Sequence, residues 1–306
     1  MTTINRRHVL IGGSLLPAAL ARGRPAMAES HASVAPGARA RGFTLGDMQV
    51  TTLLSGTAPS DDPKKIFASE VPMDEFKAVS DDNFLRTDLL QFYYTPTLVR
   101  TGNATILFDT GLSAESLAGP LAEAGVNADD VTHVVITHMH PDHIGGMTRE
   151  DGSLAYPNAN YLTGAIEFDT NGHGNNEVFE AKVRPFAERF GFLNDSNTVA
   201  PGVTATAAFG HTAGHMIYRL ESGGQQLLLV ADLVGHYVWS FANPDWTMLY
   251  DADKAQANAT RRRVLDMLAT DKIPMIGYHM PFPAAGFVET RDAGFRFVPV
   301  SYQMMG

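Results

Sequence analysis

"THMHPDHIGG", Thr137–Gly146, places three histidines and one aspartate within the six residues from His138 to His143. The apolar run Val134–Ile136 precedes it, and Gly145 and Gly146 close it. That run reads as a short buried strand, so the ligand-type side chains begin where a strand ends. In extended backbone, residues two apart share a face, which sets His138 and His140 on one side. Pro141 holds the next step out of helix. Asp142 and His143 are adjacent and cannot both point as His140 does. The stretch therefore feeds two neighbouring positions. The two glycines let the chain turn closely behind them. A lone histidine is most simply structural; four ligand-type residues in six point to a metal.

A metal needs further ligands, and three more strand ends offer them. "FGHTAGH" supplies His211 and His215, "LLLVADL" supplies Asp232, and "IPMIGYHMPFP" supplies His279. An aspartate after five apolar residues is costly to bury unless it is paired, hydrogen-bonded or metal-bound. Ligands gathered at the C-terminal ends of strands suit a layered α/β protein. The chain has no cysteine, so any ion is held by nitrogen and oxygen.

The 306 residues are enough for one large domain or two small ones, and 44% hydrophobic with 18% charged residues is ordinary for a globular protein. Residues 1–28 read as a twin-arginine-type export signal: Arg6–Arg7, a short and weakly apolar run, then "AMA" before Glu29, with no earlier acidic residue. This implies the twin-arginine export machinery as a partner and a periplasmic or secreted location. No stretch reaches the ~18 apolar residues of a membrane span. Cleavage after Ala28 removes four arginines, leaving 19 basic against 33 acidic residues, a net charge of −14. That argues against nucleic acid and anionic membranes as partners.

Residues 29–41 read as a flexible leader and 42–306 as one domain. Residues 57–91 are long for a simple connection, with a helix at "MDEFKAVS"; they suit a cap over a site or a homodimer contact. "FYYTPTLVR" and "TILFDTG" read as a strand pair around Gly102–Asn103. Beyond them strands and helices alternate, with a hairpin across Gly223–Gly224, a long helix at Asp251–Asp271 and a closing hairpin. His133 reads as structural, His8 and His31 lie outside the fold, and His173 and His236 could line a pocket. The "RRR" run at 261–263 reads as a solvated helix face with ion pairs.

The chain resembles the metallo-β-lactamase superfamily. H-x-H-x-D-H matches His138, His140, Asp142 and His143, and H-T-x-G-H matches His211–His215, followed by Asp232 and His279. It is most similar to the methyl parathion hydrolase-like group, through "LGDMQVTTLLSGT", "GHTAGH" and "HMPFPAAGFVETRDAGFRFVPVSY", with N-acyl homoserine lactonases more distant. The resemblance implies an α/β fold, a four-layer αβ/βα sandwich with the metals at the edge between two sheets. It implies two divalent ions per chain: zinc first, with manganese, cobalt or iron as alternatives. His138, His140 and His211 would hold one ion. Asp142, His143 and His279 would hold the other, and Asp232 would bridge. His215 and Asp109 would stand behind the ligands, Asp109 anchoring the loop. Asp142 and Asp232 would also be catalytic.

Two ions about 3.5–4 Å apart form a hydrolytic site in which bound water ionises near neutral pH. Relatives with redox chemistry would carry glutamate in place of His140, and true β-lactamases lack the bridging aspartate. Glutathione-thioester hydrolases would carry basic residues near the last ligand, where "YHMPFPAAGF" is apolar. The expectation is a hydrolase of neutral, apolar small molecules: esters, lactones or phosphotriesters. A β-lactam or thioester hydrolase, and a metal-bound protein without catalysis, are the alternatives. Phe168, Tyr237, Trp239, Phe282 and Phe287 lie near the ligands in sequence and are expected to line the pocket.

Overall fold

The computed structural model describes residues 37–301. The export signal, and most of the leader, lie outside the described residues. The leader gives way earlier than expected: Ala40 and Arg41 already sit in β1 (Ala40–Leu45), paired with Leu53 and Thr52 of β2 (Met48–Leu53). Glu123 Oε2 fixes the entry by accepting from the amides of Arg39 and Ala40.

A separate hairpin follows, β3 (Gly56–Ser60) with β4 (Leu90–Tyr94). This corrects the expected strand pair. "FYY" belongs to this hairpin, and the chain breaks at Thr95–Pro96 before β5 (Thr97–Thr101) pairs with β6 (Ala104–Phe108). Pro96 has no amide hydrogen to continue a ladder. Between β3 and β4 run α1 (Pro63–Phe67) and α2 (Met73–Asp82). α2 buries Phe76 against Trp239 and Trp246, at ring distances of 5.0 and 5.9 Å. Burying such a ring stabilises by about 1.5–3 kcal/mol. The segment is thereby fastened as a cap.

After β6 come α3 (Ala114–Glu123), β7 (His133–Ile136), α4 (Pro141–Ile144), β8 (Asn160–Gly164), α5 (Ala165–Gly172), α6 (Glu177–Lys182) and β9 (Phe190–Leu193). The first sheet runs β1-β2-β5-β6-β7-β8-β9, and β6 to β9 are parallel. The second half supplies β10 (Thr198–Ala200), β11 (Val203–Ala207), β12 (Met216–Ser222), β13 (Gln225–Ala231), α7 (Trp239–Ala242), α8 (Lys254–Asp271), β14 (Met275–Gly277), β15 (Ala285–Arg291) and β16 (Gly294–Pro299). These strands form a second seven-stranded sheet in chain order, with only β13 and β14 parallel.

Side-chain alternation sorts the core. In β5 to β7, Val99, Ile106, Phe108 and Val135 face the second sheet, and the Phe108 ring lies 4.9 Å from Tyr218 of β12. Their neighbours Leu98, Leu107, Val134 and Ile136 face the other way, into a cluster with Leu117 and Leu121 of α3. A strand buried on both faces reads as a continuous apolar run, which is how "VVI" appears in the sequence. The fold is the mixed α/β sandwich expected, its sheets flanked by helices.

Candidate metal centre

Every expected ligand follows the C-terminal end of a strand. β7 leads into His138 and His140, and α4 carries Asp142 and His143. β11 leads to His211, β13 to Asp232 and β14 to His279. β7 belongs to the first sheet and β11, β13 and β14 to the second, and the loops after these strands converge where the two sheets meet. The edge is tight: a Cβ on Gly146 would sit 2.1 Å from the carbonyl oxygen of Thr110. At the strand ends beside the ligands, Asp109 takes a φ of 63° and Ala231 a φ of 46°. Such backbone costs about 1–3 kcal/mol and is retained where the neighbours over-determine it.

The seven side chains gather in two groups, His138–His140–His211–Asp232 and Asp142–His143–His279. In the first, His140 Nδ1 lies 3.0 Å from His138 Nε2 and 3.1 Å from His211 Nε2. Asp232 Oδ2 is 3.4 Å from His211 Nε2 and 3.8 Å from His138 Nε2. In the second, Asp142 Oδ2 is 3.5 Å from both His143 Nε2 and His279 Nε2. Asp232 reaches this group too: Oδ1 is 3.2 Å from His143 Nε2, and Oδ2 is 3.1 Å from His279 Nε2. One carboxylate thus faces both groups.

The hydrogen bonds behind the rings set which ring nitrogens face inward. His279 Nδ1 lies 2.9 Å from the Tyr93 carbonyl, which can only accept. His211 Nδ1 lies 2.9 Å from Asp251 Oδ1, and His143 Nδ1 2.8 Å from Asp109 Oδ2. With each Nδ1 donating, each Nε2 turns a bare lone pair inward, towards carboxylate oxygens. Lone pairs so placed repel unless a cation or proton lies between them. His143 Nε2 and Asp232 Oδ1 are buried without a hydrogen-bond partner. Burial would lower His143, but the carboxylates of Asp232, Asp109 and Asp142 outweigh it and raise it well above the ordinary range: with no cation between them, a proton takes the inward Nε2 position. Burial takes His138 well below that range and His140 to about 4, so both are neutral imidazoles, the form that binds metal. The donor set fits two divalent cations.

His215 takes no place among the inward-facing atoms. It is fully buried, its Nδ1 faces the Ala208 carbonyl at 3.1 Å, and its Nε2 accepts from the Asp232 amide at 3.2 Å. Burial lowers it to about 3, so it stays neutral and holds the backbone of Asp232. Asp109 accepts from the amide and hydroxyl of Thr137 as well as facing His143. It pins the start of the motif.

Three supporting residues escape a reading of the sequence. Glu167 of α5, fully buried, accepts at Oε1 from the Met139 amide and at Oε2 from the Gly214 amide and the Thr212 hydroxyl. It joins the loop of His138 and His140 to the loop of His211. Asp251 orients His211, and despite burial the bonds from His211 and Arg261 hold it below the usual carboxylate range. Tyr278 stacks on His143 at 3.9 Å and donates to the Asp142 carbonyl at 2.6 Å. Glu167 begins an amphipathic helix and Asp251 lies in an irregular loop. Neither position carries a local signal, beyond a buried acid needing donors.

The centre opens into a cavity of about 450 Å³ lined by Phe67, Phe92, Tyr94, Leu112, Met248 and Tyr250, with the ligands as its floor. Among the described residues that line it, none is lysine or arginine. Burial, with the charges of Asp142 and Asp232, takes the Tyr94 phenol to about 12, so it remains a hydrogen-bond donor.

The five expected pocket residues lie elsewhere. Phe168 packs among Phe179, Phe190 and Phe192. Trp239 is buried beneath Phe67, its Nε1 donating to Ser80 Oγ. Tyr237 and Phe282 line a separate groove with Leu85 and Leu89, and Phe287 another with Phe43. Nearness to a ligand in sequence did not place a side chain in the cavity, because the chain leaves each ligand for the core or the outer face. The cap and the 248–250 loop supply the walls instead. His173 is exposed against Asp169, and His236 is stacked on Trp239 at 3.9 Å. The arginine run also departs from expectation. Arg262 pairs with Asp245 at the surface as expected, whereas Arg261 is only 1% exposed and bonds to Asp251.

A sequence profile for the metallo-beta-lactamase superfamily matches residues 91–275, more than half of the chain. A probable metallo-hydrolase of Mycobacterium tuberculosis is 24% identical over 173 residues, 45% of this chain and 56% of that protein. The chain spans about half the length of the curated relatives it matches there. Among solved structures, AidC, a dizinc quorum-quenching lactonase in complex with a product, is 27% identical with a TM-score of 0.80, covering 86% of this chain and 98% of that one. The hydrolase AbOPH shares the fold at a TM-score of 0.78, with 24% identity over 87% of this chain and 98% of that one. The profile spans the histidine motif, and both ligand groups assemble where strand ends of the two sheets meet; the chain belongs to the metallo-beta-lactamase superfamily.

Proposed function

We propose that the chain is a two-metal hydrolase of neutral, apolar small molecules: lactones, carboxylic esters or phosphotriesters. One observation carries this reading. Asp232 is shared by two ligand groups at the floor of an aromatic cavity whose described lining holds no cationic side chain. A substrate carboxylate, as on a β-lactam or a glutathione thioester, would find no lysine or arginine on the described lining to pair with away from the ions themselves.

Divalent cations held by these groups would lower the pKa of bound water and draw charge from a carbonyl or phosphoryl oxygen. The chain's own residues divide the remaining work. Asp142, its side chain 20% exposed, is the more accessible carboxylate and is placed to orient a water and take its proton. Asp232, at 6%, holds the two groups in register. The phenol of Tyr94, kept protonated, can donate to a substrate oxygen. Phe67, Phe92 and Met248 exclude water and hold an apolar chain.

The test is a panel of lactones, aryl esters, paraoxon-like phosphotriesters, β-lactams and thioesters on metal-quantified protein. About two ions per chain, zinc or a similar divalent metal, with turnover of the neutral substrates supports the reading. Preference for β-lactams or thioesters overturns it. Two ions without turnover of any substrate would favour a binding protein. Export is part of the proposal and rests on Arg6–Arg7 and the apolar run after them. Arg6→Lys with Arg7→Lys should hold the protein in the cytoplasm, read by cell fractionation.

A further inference from the structure

Arg261 of α8 carries a guanidinium with almost no exposure, and all three of its nitrogens donate. Nε donates to Leu233 O at 2.9 Å. One terminal nitrogen donates to Pro244 O, Trp246 O and Asn258 Oδ1 at 2.9, 3.2 and 2.9 Å. The other donates to Asp251 Oδ2 at 2.8 Å. A buried cation is tolerated only when its donors are satisfied, and a rigid fork so satisfied acts as a strut.

The partners of this strut converge on one half of the metal centre. Leu233 follows the shared ligand Asp232 directly. Asp251 uses its other oxygen to hold His211, and the Ala252 amide donates to His211 O at 2.9 Å. Pro244 and Trp246 begin the segment that brings Met248 and Tyr250 to the cavity wall. The second ligand group is held by other residues: Asp109 behind His143, the Tyr93 carbonyl behind His279, and Tyr278 on the Asp142 carbonyl. Arg261 bonds to none of those three.

We propose that Arg261 is a positioning residue that, through Asp251 and the backbone after Asp232, sets cation affinity at the His138–His140–His211–Asp232 group selectively. The inference rests on the two-metal reading above. Arg261→Lys keeps the charge and loses the fork. Asp251→Asn keeps the shape, but either amide orientation turns an NH2 towards a donor, Arg261 or His211.

The experiment is cobalt(II) titration of metal-free protein against a competing chelator, followed by visible absorption. His211→Ala and His279→Ala assign the absorption of each group. Both test variants should lose about 10–100-fold in affinity at the first group, with a smaller change at the second. The double variant should be little worse than the weaker single one. A merely structural role would lower the melting temperature without altering the relative occupancy of the two groups. Folded variants that bind two cobalt ions with wild-type affinity and spectra, or that weaken both groups alike, overturn the proposal. If Arg261→Lys does not fold, Asp251→Asn decides alone, and wild-type cobalt binding by that variant refutes it. No cobalt uptake by the wild type would overturn the two-metal reading and this inference with it.

Discussion

Glu167→Gln replaces one oxygen of a buried carboxylate with an NH2 group, at nearly constant volume. Four donors meet the native side chain: the Met139 amide and Asn171 Nδ2 at Oε1, at 2.9 and 3.0 Å, and the Thr212 hydroxyl and Gly214 amide at Oε2, at 2.6 and 3.0 Å. A glutamine must turn its NH2 towards one pair. On the Oε1 side it would face the Met139 amide and Asn171, whose own oxygen already accepts from Asn176. On the Oε2 side Thr212 can rotate to accept, but the Gly214 amide is left facing another donor. The second orientation is cheaper. It forfeits a charge-assisted bond of roughly 1.5–3 kcal/mol and orphans a buried amide at roughly 1–3 kcal/mol, about 2.5–6 kcal/mol together. Backbone movement cannot absorb this readily, since a Cβ on Gly214 would already lie 2.1 Å from the Glu167 amide nitrogen. The assay is urea unfolding of metal-free protein, with thermal melting as a second probe; the melting point should fall by roughly 10 °C. A loss below about 1 kcal/mol would refute the view that Glu167 clamps the two ligand loops, because such a value fits an exposed carboxamide swap.

Asp232→Asn should lower turnover by about 100-fold or more, since removing even a residue behind a metal ligand costs 10–100-fold. It should also reduce metal content; wild-type turnover would exclude a bridging role. Chelator treatment should abolish activity and lower the melting temperature, both restored by zinc or cobalt, because an ion that binds only the native state stabilises it by mass action. His236 gives a pH signature clear of the ligands. Burial lowers it to about 3 against an unfolded value near 6.5, so its contribution is complete above about pH 6.5 and is lost as pH falls towards 3. Each pH unit in that window should cost about 1.4 kcal/mol. His236→Asn keeps an acceptor for the Val238 and Trp239 amides, and urea midpoints from pH 7 to 5 should show one proton's worth less slope. Gly146→Ala should destabilise strongly or prevent folding, read by the same unfolding curves, because its Cβ would meet the Thr110 carbonyl oxygen at 2.1 Å.

The inward-facing ligands were legible in the sequence because each is a polar residue stranded at the end of an apolar strand. Such a residue has few roles other than ligation or pairing. The doubly buried strands were legible for the related reason that their apolar runs are continuous. What lay beyond the sequence is whatever depends on two distant segments meeting. Arg261 opens a run of three arginines and carries no local mark of burial; only the packing of α8 beside the 244–251 loop makes it a strut. Glu167 becomes a clamp because β8 carries α5 between two ligand loops. The cavity walls come from residues 67–94, 112 and 248–250, and the aromatics nearest the ligands in sequence turn away from it. Periodicity and composition record how a segment meets its own surroundings, polar or apolar. They do not record which other segment supplies those surroundings, and in this chain that second choice shapes the pocket and holds the ligands in place.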